Sequence, residues 1–403
     1  MRISERAEKA QPSPIRKLVP LADAAKDAGV TVYHLNIGQP DIPSPPAALD
    51  AIRRWDGRVL AYGHSEGQRF YRETLVNYYR GLGLDVNLED VFVTTAGSEA
   101  IIFAMAAVAD PGEEIIVFEP FYTNYNGFAS MVSVKLIPLT LSVENGFHLP
   151  ERKSIEAKIT GKTRAILYCS PNNPTGTVYT AEEIRMLADM AAKHDLFLMG
   201  DEVYRDFIYD EGMTHTSVLS FPEISDRTIM LDSVSKRFSM CGARIGNIVT
   251  KNRDVWASCM KFGQARLSPP QLEQVAADAA YGLPAEEYLK PMIDEYRKRR
   301  NVVYEALTGM PEVKTFLPEG AFYTVAKLPV DDADAFAAWL LSDFWKTEGI
   351  KETVMIAPAS GFYATEGAGK GEVRIAYVLE CDSLRRAMDL LARALEVYPG
   401  RTG

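Results

Sequence analysis

The chain is poor in the residues that build disulfide frameworks and metal centres. Its 403 residues include four cysteines and five histidines. Cys169, Cys241, Cys259 and Cys381 lie far apart and form no C-x-x-C pair, the pattern of reduced thiols rather than of a disulfide scaffold. The histidines are equally scattered, with no H-x-x-x-H spacing and no Cys/His cluster to hold a metal. Basic charge is also in deficit. Lys plus Arg is 44 against 54 for Asp plus Glu, a formal charge of −10, which argues against a general affinity for nucleic acid or anionic membrane. The longest apolar run, Ala100 to Ala109, is too short to span a bilayer, and the opening MRISERAEKA lacks the apolar stretch of a signal peptide. A cytoplasmic protein is expected. No internal repeat or low-complexity block appears.

What is present is an ordinary globular composition, 47% hydrophobic and 24% charged, on a chain long enough for one large domain and a second lobe. An extended arm, QPSPIRKLVP, precedes a short helix closed by Gly29. Ile115–Phe118, Ala165–Cys169, Phe197–Met199, Thr228–Leu231 and Ile245–Val249 are short apolar runs of the kind buried on both faces of a parallel sheet. Between two of them, Thr180 and Glu183 match a capping box, and Ile184, Leu187, Ala188 and Ala191 form one apolar stripe, which predicts a helix. Strand, helix, strand is the α/β pattern. Near residue 290 the character changes to a basic helix, EYRKRRNVVYEAL, and the last helix carries Leu384, Met388, Leu391 and Leu395 on one face. A large domain over 45–290 is expected, with 1–44 and 291–403 forming the arm and a smaller α+β domain.

Polar residues gather where the buried strands end. Ser170-Pro-Asn-Asn-Pro-Thr-Gly176 follows the second run, Gly200-Asp-Glu-Val-Tyr204 the third, and Asp232-Ser-Val-Ser-Lys236 the fourth. Ligands in open α/β sheets bind at the carboxyl ends of parallel strands, so three such loops predict a site. Three motif matches carry less. Ser233-Val-Ser-Lys236 fits S-x-x-K, but the S-D-N and K-T-G partners of penicillin-recognising enzymes are missing. Gly161-Lys-Thr163 lacks the upstream glycine of a phosphate loop, where Glu156 stands. Gly367-Ala-Gly-Lys-Gly371 has Glu372 where G-x-G-x-x-G needs its last glycine, and reads as a flexible loop.

SPNNPTG, DEVYRDF and SVSKRFSMCGARIG, in this order and spacing, resemble the class I/II aminotransferases of pyridoxal phosphate (PLP) fold type I, from LNIGQPD near the start to EVRIAYV near the end. The resemblance implies a mostly parallel central sheet flanked by helices, and a transaminase whose cofactor forms a Schiff base with Lys236. It assigns Asp201 to the pyridine nitrogen, Tyr204 and Asn173 to O3′, and Tyr122 to a ring stacked on the cofactor. The phosphate falls to Ser233, Ser235, Arg244 and the loop Gly97, Ser98 and Glu99, at a helix N-terminus whose free N–H groups favour an anion. Arg374 matches the arginine that grips the substrate α-carboxylate with two parallel hydrogen bonds. Gly38 matches a backbone position on the substrate side. Tyr62 matches a tyrosine that reaches the neighbouring subunit's phosphate, which implies a homodimer.

The substrate side chain is less defined. Ser98 stands where one bacterial group of aspartate aminotransferases has a lysine that reads the distal carboxylate. Arg266, ahead of Ser268-Pro-Pro270, is similar in place to an arginine that another group supplies from the partner subunit, and it gives an expected affinity for aspartate or glutamate. Two other functions stay open: a β-eliminating carbon–sulfur lyase on the same scaffold, and a non-enzymatic sensor. The sensor is disfavoured by the acidic charge and by the lack of a DNA-binding segment ahead of the arm.

Overall fold

The computed structural model of the chain describes residues 1–9 and 15–402. Of the arm expected over 11–20, residues 11–14 lie outside the described residues; Val19–Asp27 is a helix, and Gly29 after it has φ +76°.

Twelve strands are described: β1 Thr31–His34, β2 Val91–Thr95, β3 Glu114–Glu119, β4 Lys135–Thr140, β5 Thr163–Cys169, β6 Phe197–Asp201, β7 Thr228–Ser233, β8 Ile245–Val249, β9 Tyr323–Lys327, β10 Glu352–Met355, β11 Ala357–Pro358 and β12 Glu372–Ala376. Seven of them build the central sheet in the order β2-β8-β7-β6-β5-β3-β4. Strands β4, β3, β5, β6 and β7 run parallel to one another. The five apolar runs read from the sequence all lie in this sheet. One differs in direction: Ile245–Val249 is antiparallel to both β7 and β2. The connection from Val234 to Arg244 contains only two short helical turns, too little for the crossover that a parallel neighbour requires.

Helices cover both faces, as the doubly apolar strands demand. Ile115 and Val117 face the layer containing the helices Ala96–Val108 and Arg253–Arg266, while Ile116 and Phe118 face the layer containing Arg69–Gly81 and Ala181–Lys193. Each fully buried aliphatic side chain of this kind contributes about 1.5–3 kcal/mol. The helix Ala181–Lys193 begins with the predicted box: Glu183 N–H donates to Thr180 Oγ1 at 3.2 Å and Thr180 N–H donates to Glu183 Oε2 at 2.7 Å. Ile184, Leu187, Ala188 and Ala191 are buried against the sheet.

The remaining strands form two small sheets, parallel β1-β10 and antiparallel β11-β12-β9. Pairing of β1 with β10 ties the start of the chain to its last third. The helices Leu289–Gly309 and Cys381–Val397 share a core with these strands, with Leu384, Met388, Leu391 and Leu395 buried. The turn ahead of β9 docks on the loop after β5 at Gly176, whose carbonyl accepts from Glu319 N–H at 3.0 Å and Gly320 N–H at 2.8 Å. Gly176 has φ +81°, and a Cβ there would come within 2.7 Å of the Tyr323 carbonyl and 2.9 Å of the Gly320 carbonyl. Only glycine meets both conditions, and the junction sets β9 and β12 over the strand ends. No described helix is long and apolar enough to cross a membrane.

Candidate active site

A cavity of about 1020 Å³ opens at the carboxyl ends of β5, β6 and β7, beneath the N-terminus of the helix Ala96–Val108 and against β9 and β12. Its walls bring together Gly38, Gly97, Ser98, Tyr122, Asn173, Asp201, Tyr204, Ser233, Ser235, Lys236, Arg244 and Arg374, residues the sequence reading singled out from segments far apart in the chain.

Lys236 lies in the short turn Val234–Arg237 that follows β7. Ser233 caps this turn: its Oγ accepts from Ser235 N–H at 3.1 Å and donates to the Ile245 carbonyl at 2.8 Å. The Lys236 ammonium donates to the Gly38 carbonyl at 2.7 Å. Burial works against its charge, but the Tyr323 phenol, the Cys241 thiol and the Tyr122 phenol outweigh that effect, and the group lies above its ordinary range. Gly38 must be glycine for this contact, because a Cβ would fall 1.8 Å from the Tyr323 hydroxyl.

Asp201 ends β6 and is buried. It accepts from the Tyr125 hydroxyl at 2.5 Å, and no described lysine, arginine or histidine pairs with it. Burial pushes its carboxyl up to about 6, against the pull of the Tyr125 hydroxyl and the Val203 N–H; the nearby Asp232 and Glu202 charges add to the rise. Tyr204 is buried, shares a 2.8 Å hydrogen bond with the Tyr323 hydroxyl, and is held neutral chiefly by burial.

Arg374, on β12, is 2% exposed and likewise lacks a carboxylate partner among the described residues. It donates to Asn173 Oδ1 at 3.1 Å and to the Asn36 carbonyl, and its guanidinium stacks over Tyr323 and Phe362 at 4.6 and 4.9 Å. Its Nε has no hydrogen-bond acceptor.

At the other end of the cavity, the helix Ala96–Val108 begins without a side-chain cap. Its approach depends on Gly246 of β8, where a Cβ would come within 2.4–2.5 Å of the Ala96 and Gly97 backbone. Arg244 stands beside it in the left-handed region, φ +54°, and donates to the Cys241 carbonyl at 2.9 Å. A helix N-terminus, two serine hydroxyls and an arginine make an anion cradle.

Three of the expected residues lie elsewhere. The Glu99 carboxylate turns away from the cavity to accept from Thr95 N–H at 2.8 Å and to pair with Arg266 at 3.1 Å. Arg266 is occupied by this pair and by the Val93 and Leu267 carbonyls, and lines no part of the cavity of its own chain. Tyr62 is 81% exposed, in a stretch that also exposes Val59 and Leu60. Residues missed in the sequence also shape the site: Asn36, Tyr125, Cys241 and Tyr323. Tyr125 lies three residues after Tyr122, in the first turn of the helix Asn124–Val132, and the two rings meet edge to face at 5.6 Å. Asn36 stands two residues before Gly38 and Cys241 five after Lys236, inside motifs read for other positions, while Tyr323 comes from a remote segment with no local signal.

The residues present fit pyridoxal phosphate. A buried carboxylate without a counter-ion suits a protonated ring nitrogen, a half-buried amine facing the cavity suits the aldehyde, and an anion cradle suits the phosphate. The comparisons with known proteins agree. Residues 30–391 match the family "Aminotransferase class I and II". The chain is 30% identical over 401 residues to an aspartate aminotransferase of Pyrococcus horikoshii, covering 98% of this chain and 97% of that one. It is also 30% identical to aromatic-amino-acid aminotransferase 2 of Thermococcus litoralis, covering 98% and 99%. The fold superposes on a single mutant of Thermus thermophilus aspartate aminotransferase with TM-score 0.87 at 29% identity, covering 98% of this chain and all of that one. A family match over most of the chain, with the strand-end cavity, makes it a member of the class I and II aminotransferases, a pyridoxal-phosphate-using family, of the aspartate aminotransferase-like kind.

Proposed function

We propose that the chain holds pyridoxal phosphate on Lys236 and moves an amino group between an L-amino acid and a 2-oxo acid. The observation that carries this reading is the convergence of Lys236, Asp201 and Arg374 in one cavity, the last two buried and Lys236 half-buried, none with an opposite charge beside it among the described residues.

Bound there, the cofactor supplies an electron sink for the carbanion at the substrate Cα. Asp201 holds the ring nitrogen protonated. Tyr204, kept neutral by burial, donates to O3′, with Asn173 on the other side, and Tyr122 covers the ring. Ser233, Ser235, Arg244 and the N–H groups of Gly97, Ser98 and Glu99 take the phosphate. The Glu99 carboxylate is not part of that set, being engaged with Arg266. Arg374 grips the α-carboxylate, its orphaned Nε satisfied by the arriving anion, while Asn173 holds the guanidinium in plane. The Lys236 amine, once free, takes the proton from Cα.

In this reading 45–290 is the cofactor domain, and 1–44 with 291–403 the lobe that presents Arg374. Two copies share their sites, with the exposed Tyr62 reaching the partner's phosphate. The test is a panel of amino acids added to the cofactor-loaded protein while its absorbance is followed. One stoichiometric spectral change without an oxo acid, and turnover once an oxo acid is added, is the expected result. Continuing release of pyruvate and ammonia from one amino acid alone would instead identify a lyase.

A further inference from the structure

Tyr323 enters the cavity from β9 and has no role in the reading above. It is 1% exposed, and its backbone is registered against Ala376 of β12, so packing fixes where its hydroxyl stands. The ring meets Tyr204 edge to face, with centroids 5.7 Å apart, and carries the Arg374 guanidinium on its face at 4.6 Å. The hydroxyl has two neighbours to bond: the Tyr204 hydroxyl at 2.8 Å and the Gly38 carbonyl at 3.4 Å. They are not equal. The Gly38 carbonyl already accepts from the Lys236 ammonium at 2.7 Å, and 3.4 Å lies beyond the usual length of an O–H···O bond. The Tyr204 hydroxyl is nearer and bonds no other described residue. Each phenol carries a single proton. Once the Tyr323 proton is given to the Tyr204 oxygen, the Tyr204 proton cannot be returned along the same line and is left for the cavity.

We infer that Tyr323 is a positioning residue that sets the direction of the Tyr204 proton: by donating to the Tyr204 oxygen, it turns that phenol into a strengthened donor toward the cofactor's O3′. The inference rests on the transaminase reading, in which Tyr204 serves O3′. A phenol that accepts one hydrogen bond donates a stronger one, because the two bonds polarise each other. A stronger donor draws electron density from O3′ and weakens that oxygen's hold on the proton of the adjoining Lys236 Schiff base. Tyr323 thereby lowers the pH at which this proton leaves, and it acts through Tyr204. The titratable groups facing Tyr204 are Tyr323, Cys169 and Tyr122; those facing Lys236 are Tyr323, Cys241, Tyr122 and Arg374. Toward Lys236 itself the Tyr323 phenol favours the charged amine. That direct route has the opposite sign, since its loss alone would let the proton leave at lower pH. The sign of the shift separates the two routes.

The test is a pH titration of the visible absorbance of the cofactor-loaded protein, in wild type, Tyr323→Phe, Tyr204→Phe and the double variant. Phenylalanine keeps the ring on which Arg374 and Tyr204 pack and removes only the hydroxyl. In Tyr323→Phe the midpoint should rise by about 0.4–1 pH unit, the worth of one hydrogen bond. Tyr204→Phe should raise it further. Adding Tyr323→Phe to Tyr204→Phe should then move it by less than about 0.3 unit, because the hydroxyl through which Tyr323 acts is gone. A merely structural role would not show this dependence on Tyr204. A Tyr323→Phe midpoint equal to or below that of wild type, or a shift of the same size in the Tyr204→Phe background, overturns the inference. Failure of the transaminase reading looks different: no visible band that borohydride fixes on Lys236 would form in the wild type.

Discussion

Asp201 and Glu202 are adjacent carboxylates, both buried, and their surroundings are opposite. At the end of β6 consecutive side chains point to opposite faces. Glu202 faces away from the cavity into a closed network. It accepts from Arg205 at 2.7 Å, His215 at 2.9 Å, Ser217 at 3.0 Å and Val218 N–H at 2.6 Å, and Arg205 and His215 bring its carboxyl below the usual range in spite of burial. The network continues to the cavity wall, where Asp232 meets Arg237 at 3.1 Å and the Tyr79 hydroxyl at 3.0 Å. Asp201 faces the cavity with a phenol and an N–H for company and no cation. A buried charge that the chain itself neutralises is scaffold. One that the chain leaves without a counter-charge, in a cavity, is poised for something brought in.

The largest expected effect falls on the cavity side. Lys236→Ala should lower turnover roughly 10⁴-fold or more, with the fold intact by circular dichroism, since proton transfer by a positioned base is lost together with the covalent link to the cofactor. Borohydride reduction of the loaded wild type should place the cofactor's mass on the Lys236 peptide and nowhere else. Next come the two carboxylates, where effects on activity and stability should separate. Glu202→Gln should cost about 3–5 kcal/mol of stability in denaturant titration, because Arg205 loses the nearer of its two buried counter-charges, keeping only Asp232 at 3.6 Å, and His215 loses its carboxylate partner. Asp201→Asn should leave the cofactor-free fold at least as stable at pH 7 while lowering turnover roughly 100- to 1,000-fold. Arg374→Ala should raise KM for every amino acid and lower kcat/KM roughly 100-fold without discrimination among side chains. Smallest is Arg266→Ala: a stability loss of about 1 kcal/mol from its pair with Glu99, and an unchanged ratio of kcat/KM for aspartate to that for alanine.

The same contrast explains what could be read in the sequence. Asp201, Lys236 and Asn173 were legible because each follows a buried strand directly, and strand ends are where an α/β sheet binds ligands. The direction of β8 was not, since a strand buried on both faces carries the same apolar residues whichever way it runs. Strand β4 escaped notice because Pro138 interrupts it; the proline is tolerated because β4 is an edge strand, paired only with β3. Tyr323 reaches the site by the docking of the turn ahead of β9 onto Gly176, and nothing local announces it. Glu99 and Arg266 were each read toward a ligand, and in this chain they satisfy one another. Charge complementarity within the chain becomes visible only when the helices Ala96–Val108 and Arg253–Arg266 pack side by side.

The most direct measurement is the difference in unfolding free energy between wild type and Asp201→Asn, cofactor removed, from pH 4 to pH 7.5. A carboxyl raised to about 6 in the fold, against its lower value in the unfolded chain, contributes stability that is lost as pH rises through about 6. The wild type should therefore lose roughly 2–3 kcal/mol relative to the variant across this window, and adding pyridoxal phosphate, which brings the cation, should abolish the loss. A difference that does not change with pH, or one that pyridoxal phosphate leaves untouched, would contradict the assignment of Asp201 to the ring nitrogen.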